Sequence, residues 1–252
     1  METEYILGVK INKVSVGELI GNMMECIRSG GKMNIFYMNV HTCSIASRDP
    51  LFKEILNRAD IVFCDGIGVK IGAALAGVSI GERMTPPDWI GELCTTLISN
   101  GLSVFLLGDE EGVAARCAAV LKEKYPGLRV SGTHHGFFNK TGEENEEVIS
   151  LINRLRPDIL LVGFGMPLQE KWITANFDRL NPHVFLSVGA LFRWISGDAK
   201  RAPAILASNG MEGVWRLFTQ TSRVWKRYIV EVPVFLGRIM LARLSGRQKN
   251  SE

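Results

Sequence analysis

Pro157-Asp-Ile-Leu-Leu-Val-Gly-Phe-Gly-Met-Pro-Leu-Gln-Glu-Lys-Trp172 is the stretch on which the fold turns. Residues 159–162 form an apolar run bounded by turn residues, too short for a helix and right for a buried strand. Gly163 and Gly165 permit a tight turn with close backbone approach. Pro167 stands where a first helical residue would, since its missing N–H costs nothing there. Gln169, Glu170, Lys171 and Trp172 then fall on the first turns of a helix. A strand, a glycine turn and a helix N-terminus in succession can bind an anion through free N–H groups and the helix dipole. An ordinary turn of an α/β protein reads the same way, so the rest of the chain must decide.

Outward from this stretch the same unit recurs. Residues 104–107 read as a strand, 108–112 as its turn and 113–124 as a helix; 128–130 as a strand that leads to His134-His-Gly-Phe-Phe138; 143–155 as a helix; 184–188 as a strand before Gly189-Ala-Leu-Phe192. Toward the N-terminus, residues 5–14 alternate apolar and polar as a short strand or hairpin does. Ser15 is placed to cap a helix through Ile27, and strands at 34–38 and 61–64 exit into Asn39-Val-His-Thr42 and Asp65-Gly-Ile-Gly68. Residues 82–88 read as a loop, with Asp88 capping a helix through Ile98. Strands alternating with helices predict a Rossmann-like, largely parallel sheet flanked by helices. Ligands of such sheets sit beyond the carboxyl ends of the strands, where all of these polar turns fall. The alternation stops after Ala202-Pro203, leaving two or three amphipathic helices interrupted near Pro233. The expected division is an α/β core over 1–198 and a basic, helical, membrane-binding appendage over 199–252.

Charge supports that division. The 252-residue chain carries a net charge of +3, yet Lys200–Glu252 holds ten Lys or Arg against three Glu, so the remainder is net acidic. A basic, aromatic-containing tail suits phosphate groups or an anionic membrane surface. The N-terminus has no apolar signal segment, and no apolar run reaches the 18 residues of a spanning helix. The five cysteines are odd in number and lack C-x-x-C spacing, which fits reduced thiols in a cytosolic protein and argues against zinc or a disulfide framework.

Several side chains could carry chemistry. Asp65, directly after an apolar strand, is the best general-base candidate, because partial desolvation suits a carboxylate that must accept a proton. A turn aspartate before glycine is its plainer reading. Arg83 could offer a bidentate fork to a diphosphate, or be a solvated surface charge. His41, His134 and His135 fall at strand exits without metal-ligand spacing. The chain has no Asp-x-Asp pair to hold a divalent ion, and Asp109-Glu-Glu111 more simply complements a helix N-terminus. It also lacks G-x-G-x-x-G with a downstream acid, a Walker lysine and G-x-S-x-G.

Together, in order and spacing, the following segments resemble the WecG/TagA/CpsF glycosyltransferase family, glycosyltransferase family 26. They are Met38-Asn39, Asp65-Gly66-x-Gly68, Glu82-Arg83, Leu107-Gly108, Tyr125-Pro126-Gly127, His134-His135-Gly136-Phe-Phe138, Gly165-x-Pro167-x-Gln169-Glu170-Lys171-Trp172, Val188-Gly189-Ala190-x-Phe192, Ser196-Gly197, Lys200-Arg201-Ala202-Pro203 and Gly210-Met-Glu212 through Trp215-Arg216-Leu217. The resemblance covers nearly the whole chain. It implies an inverting transfer of a sugar, N-acetylmannosamine in TagA-like members, from a UDP donor to polyprenyl-diphosphate-linked N-acetylglucosamine. That step belongs to cell-surface polysaccharide or teichoic acid synthesis, and the resemblance implies neither metal nor cofactor. It assigns the base to Asp65, with Arg83 and Gln169 as its catalytic companions. Asn39, Thr42, Gly66, Gly108, His135, Phe137, Gly165, Gly189 and Arg193 fall around donor and acceptor, and Arg201, Arg216 and Arg223 near the lipid diphosphate. The expected setting is cytoplasmic and peripheral, at the inner face of a bacterial membrane, with no nucleic-acid partner and with homo-oligomerisation left open.

The chain departs from the family pattern in places. Pro86 stands for a glycine after Arg-x-Thr, making Pro86-Pro87 a stiffer loop. Phe137 replaces a frequent tyrosine and Arg193 a frequent aspartate, which removes a hydroxyl and a carboxylate from the expected uracil contacts. Thr219-Gln-Thr221 stands for Glu-Pro. Three alternatives stay open: another UDP-hexose donor (glucose, galactose or N-acetylmannosaminuronate), a non-catalytic membrane-associated nucleotide sensor, and a dehydrogenase.

Overall fold

The computed structural model describes residues 1–200, 215 and 225–245. Its order begins β1 (Glu2–Ile6), β2 (Val9–Lys13), α1 (Val16–Arg28), β3 (Met33–Met38), α2 (Val40–Ala46), α3 (Pro50–Arg58), β4 (Ile61–Cys64) and α4 (Ile67–Ala76). It continues with α5 (Pro86–Asn100), β5 (Ser103–Gly108), α6 (Val113–Lys124), β6 (Arg129–His134), α7 (Glu143–Leu155), β7 (Ile159–Gly163), α8 (Leu168–Asn176), β8 (Val184–Ser187) and α9 (Leu191–Ser196). A π-helical turn, Lys226–Glu231, then runs directly into α10 (Val232–Leu244).

β1 and β2 form an antiparallel hairpin that reverses at Leu7 and Gly8, both at positive φ. The other strands form a six-stranded sheet in the order β4-β3-β8-β7-β5-β6. β3 with β8, β8 with β7, β7 with β5 and β5 with β6 all pair in parallel. β5, β7 and β8 are buried along their whole length, which is why they read as unbroken apolar runs. β6 lies at the sheet edge and is only partly buried. The sequence predicts a strand over 128–130 only, whereas the structure extends it through the polar Ser131-Gly-Thr-His134.

The chain falls into two compact units. The first comprises Met1–Ser15, Tyr37–Thr85 and the described residues of Lys200–Glu252; the second comprises Val16–Phe36 and Pro86–Ala199. This partition differs from a core over 1–198 with a separate tail. The physical reason lies in α10, whose Phe235 and Ile239 are buried against Gly72 of α4. A Cβ on Gly72 would come within 2.5 Å of the Phe235 ring, so the helices approach closely because residue 72 has no side chain. Pro233 does not interrupt the helix. It occupies the first turn of α10, where no N–H is needed. Pro86 and Pro87 likewise form the first turn of α5 instead of a stiff loop, which moves Asp88 from the cap into that turn.

Four of the cysteines, Cys43, Cys64, Cys94 and Cys117, are buried and free. Burial pushes the Cys43, Cys64 and Cys117 thiols up to about 12 and Cys94 up to about 11, so they serve as small core side chains.

Candidate active site

In the first unit, the exits of β3 and β4 bring the charged candidates together. Asn39 is the N-cap of α2: its Oδ1 accepts from the Thr42 N–H at 3.0 Å, and Thr42 Oγ1 accepts from the Asn39 N–H at 3.1 Å. This reciprocal capping box satisfies two backbone donors at once. It also fixes the Asn39 amide, because an oxygen committed to Thr42 leaves Nδ2 turned the other way. Nδ2 donates to Asp65 Oδ2 at 3.3 Å. The backbone repeats the link, with Asp65 N–H donating to Met38 O at 2.8 Å.

Gly66 leaves Asp65 at a φ of 103°, a region that favours glycine, and opens α4 without a side-chain cap. The α4 N-terminus therefore has its amide dipole beside the Asp65 carboxylate. The Arg83 segment is tied to the same strand end, since Met84 N–H donates to Cys64 O at 2.8 Å. Arg83 Nη1 donates to Thr85 Oγ1 at 3.3 Å. The Cys64 thiol registers the surrounding charges: after burial, Asp65 raises it, while Lys70 and Arg83 lower it. Asn39, Thr42, Asp65, Gly66 and Arg83 are thus one cluster.

In the second unit, the site is built from glycines. Gly108 ends β5 opposite Gly163 at the end of β7, and a Cβ on Gly108 would lie 2.4 Å from Gly163 O. A Cβ on Gly163 would in turn lie 2.8 Å from Gly189 O, which follows β8. Three neighbouring strands can end this close only because these positions lack side chains. Gln169, fully buried, braces the same loops: its Oε1 accepts from the Gly165 N–H and the Gly189 N–H, each at 3.2 Å. Its Nε2 donates to Glu170 Oε1 at 2.7 Å. Gly165 and Gly189, which the resemblance places around donor and acceptor, thus both give their N–H groups to one buried side chain. Gln169 therefore faces inward. The Met166–Pro167 peptide is cis, and Pro167 caps α8 instead of opening it.

Glu170, unassigned in the sequence reading, is 1% exposed. Burial pushes its carboxyl up to about 7, opposed by hydrogen bonding from Gln169 and its own backbone and by the nearby Ser187 hydroxyl. Glu170 Oε2 and Ser187 Oγ, both buried, make no full hydrogen bond.

The exit of β6 is aromatic. Phe137 is 73% exposed, and its N–H donates to His135 Nδ1 at 3.2 Å, which leaves the neutral ring protonated on Nε2. His134 stacks on His135 at 4.4 Å. Lys140, which no sequence signal picked out, lies over the Phe138 and Phe164 rings at 3.5 and 4.4 Å, and donates to Gly136 O and Phe138 O. Burial lowers its amine to about 8, partly offset by Glu144. Arg193 is engaged as well: Nε donates to Asp109 Oδ1 at 2.6 Å and Nη2 pairs with Glu110. The Asp109 hydrogen bond raises its pKa further. The Asp109-Glu110 pair thus answers Arg193 as well as standing near α6. Among the described residues, no three His, Cys, Asp or Glu side chains converge as metal ligands. Arg201, Arg216 and Arg223 lie outside the described residues.

Comparison with known proteins matches this architecture to one family. The WecG/TagA/CpsF family of glycosyl transferases matches residues 4–249, and the chain belongs to it. It is a glycosyltransferase, of the kind that builds cell-wall polysaccharide. Among its relatives are the N-acetylglucosaminyldiphosphoundecaprenol N-acetyl-beta-D-mannosaminyltransferases of Staphylococcus aureus strains MRSA252 and NCTC 8325 / PS 47. Each is 25% identical over 240 residues, covering 94% of this chain and 92% of the relative.

Proposed function

We propose that this chain transfers N-acetylmannosamine from a UDP donor to N-acetylglucosamine linked through a diphosphate to a polyprenol, with inversion at the anomeric carbon. The observation that carries the reading is Asp65 at the exit of β4, held by the Asn39 amide and followed by the α4 N-terminus. The names of the Staphylococcus relatives supply the sugar and the acceptor.

The acceptor hydroxyl loses its proton to Asp65 as its oxygen attacks the anomeric carbon. The bond from that carbon to the UDP oxygen breaks, and UDP leaves with the electron pair. Arg83 and helix N-termini meet the developing diphosphate charge, joined by the tail arginines, in place of a metal ion. Phe137 presents an exposed ring beside His135. Gln169 and Glu170 set the glycine loops. The chain acts at the inner membrane face, where its acceptor is anchored.

The test is a panel of UDP-sugars assayed with a lipid-diphosphate acceptor, with and without EDTA. UDP release should depend on acceptor, prefer UDP-N-acetylmannosamine and survive the chelator. Preference for another UDP-hexose would change the donor. Activity lost to EDTA and restored by Mg²⁺ or Mn²⁺ would overturn the arginine account. No acceptor-dependent release with any sugar would leave a nucleotide sensor, and NADH binding would point to a dehydrogenase.

A further inference from the structure

α8 follows the Gly163–Gly165 turn, and its inward side is largely polar: Gln169, Glu170, Trp172 and Asn176 are all buried. Buried polar atoms ordinarily find partners. Further along the helix they do, with Trp172 Nε1 donating to Asn145 Oδ1 at 2.7 Å and Asn176 Nδ2 to Trp172 O at 2.9 Å. At Gln169 they do as well, since Oε1 accepts from two glycine N–H groups and Nε2 donates to Glu170 Oε1. The exception comes one step on. Glu170 Oε2 and the Ser187 hydroxyl of β8 are both buried, and both lack a full hydrogen bond.

A carboxylate in this place has no countercharge. Of the elements packed against α8, β7 is apolar throughout, α7 gives Asn145 to Trp172, and β8 offers Ser187. No charged group among the described residues, the adjacent Lys171 included, contributes to the Glu170 shift. Burying an unpaired charge is costly. A neutral carboxyl fits the surroundings better: its carbonyl oxygen accepts from Gln169, and its O–H turns to the free lone pairs of Ser187 Oγ. One line of groups then runs from Ser187 through Glu170 and Gln169 to the N–H groups of Gly165 and Gly189.

We propose that Glu170 is a positioning residue that works in its neutral form, setting through Gln169 the loops at Gly165 and Gly189 that shape the substrate site. Gln169 belongs to this support and does not touch substrate. That the loops receive substrate rests on the proposed function; the hydrogen-bonded line does not. Loss of the proton leaves a charge that nothing answers, so the start of α8 opens to water and the loops loosen with it. Burial holds the proton up to about pH 7, which places the loosening above that value.

Hydrogen exchange of the full chain, without donor or acceptor, reads the loops alone, and UDP release reads turnover. Corrected for intrinsic rate, residues 163–170 and 187–192 should lose protection between pH 6 and pH 8.5. Turnover should fall about tenfold or more over the same range, as a group titrating near 7 requires. E170Q carries the acceptor and the donor of the neutral acid but cannot ionise, so both changes should vanish. The Ser187 hydroxyl favours the ionised form, so S187A should move both changes to higher pH. Q169L should lose turnover and loop protection together. An E170Q chain that keeps the wild-type pH dependence of protection and turnover would overturn the proposal. Turnover lost in Q169L with both loops still protected would overturn it too, because Gln169 would then act on substrate. Loop protection that follows pH as stated, in a chain that releases no UDP from any sugar donor, would count against the reaction alone.

Discussion

The two units build their strand exits by opposite means. In the first, side chains do the holding: the capping box of Asn39 and Thr42 orients an amide toward Asp65, and Arg83 reaches Thr85. In the second, backbone does it: Gly108, Gly163 and Gly189 close on one another, and Gln169 stitches the last two loops from within. Two of the second unit's cations are engaged internally, Arg193 with Asp109 and Glu110, and Lys140 with carbonyls and ring faces. The first unit therefore holds the groups suited to proton transfer and charge stabilisation. The second offers shape and an exposed aromatic ring.

The largest effect that could break this division is at Asp65. Asp65→Asn keeps the shape and removes the proton acceptor, so turnover should fall by roughly two to four orders of magnitude. UDP binding, measured by calorimetry, should stay near wild type. Turnover like that of the wild type would remove the base from the first unit.

Next is Gly108→Ala, which tests whether backbone shape governs the second unit. The new methyl would lie 2.4 Å from Gly163 O at a φ of 149°. We expect a stability loss of about 3 kcal/mol, read by urea denaturation, because the obstacle is backbone and cannot swing aside. A variant as stable as wild type would show that the strand ends can spread.

A smaller, pH-dependent effect comes from Glu170. Its carboxyl moves from 4.5 to about 7 in the fold, chiefly through burial. Between these values the folded chain keeps a proton that the unfolded chain has released. Its contribution is thus fully present below pH 4.5 and is lost as pH rises through 7, by at most about 3 kcal/mol. Glu170→Gln still offers an oxygen to Gln169 Nε2 but cannot ionise. The variant should therefore lose less stability than wild type when denaturation is compared at pH 5 and pH 8. Parallel pH trends would mean that Glu170 ionises without penalty.

Much of this was legible in the sequence because burial on both faces writes itself as apolar runs. Residues 61–64, 159–163 and 184–187 are such runs, and the helices at 113–124 and 143–155 match their periodic patterns end to end. β6 was cut short because an edge strand can carry Ser131, Gly132 and Thr133 without an apolar signal. The grouping of α10 with α4 depends on Gly72 receiving Phe235, a contact between distant residues that no local pattern encodes. The polar run Gln169-Glu170-Lys171 looks like a solvated first turn. Its burial arises only when Gly165 and Gly189, on separate loops, both present N–H groups to one side chain. Lys140 was missed for the same reason, since its rings and carbonyls are assembled by the loop itself. The cluster of Asn39, Asp65 and Arg83 was easier to see, because each residue follows or flanks a recognisable strand.

The smallest predicted effect separates support from contact within the first unit. Thr42 is 1% exposed, so its hydroxyl serves the Asn39 N–H and not solvent. Thr42→Val fits the same volume, deletes that acceptor and leaves the Thr42 N–H bond to Asn39 Oδ1 in place. We expect about 1 kcal/mol of lost stability, the usual cost of half a capping box, and only a few-fold loss of turnover. Asn39→Ala removes the cap and also the donor to Asp65, so turnover should fall about tenfold further while stability falls by a similar amount. The pair thus distinguishes two uses of one motif through the ratio of turnover lost to stability lost. If Thr42→Val costs as much turnover as Asn39→Ala, the threonine touches the substrate, and the capping box is part of the binding surface instead of its scaffold.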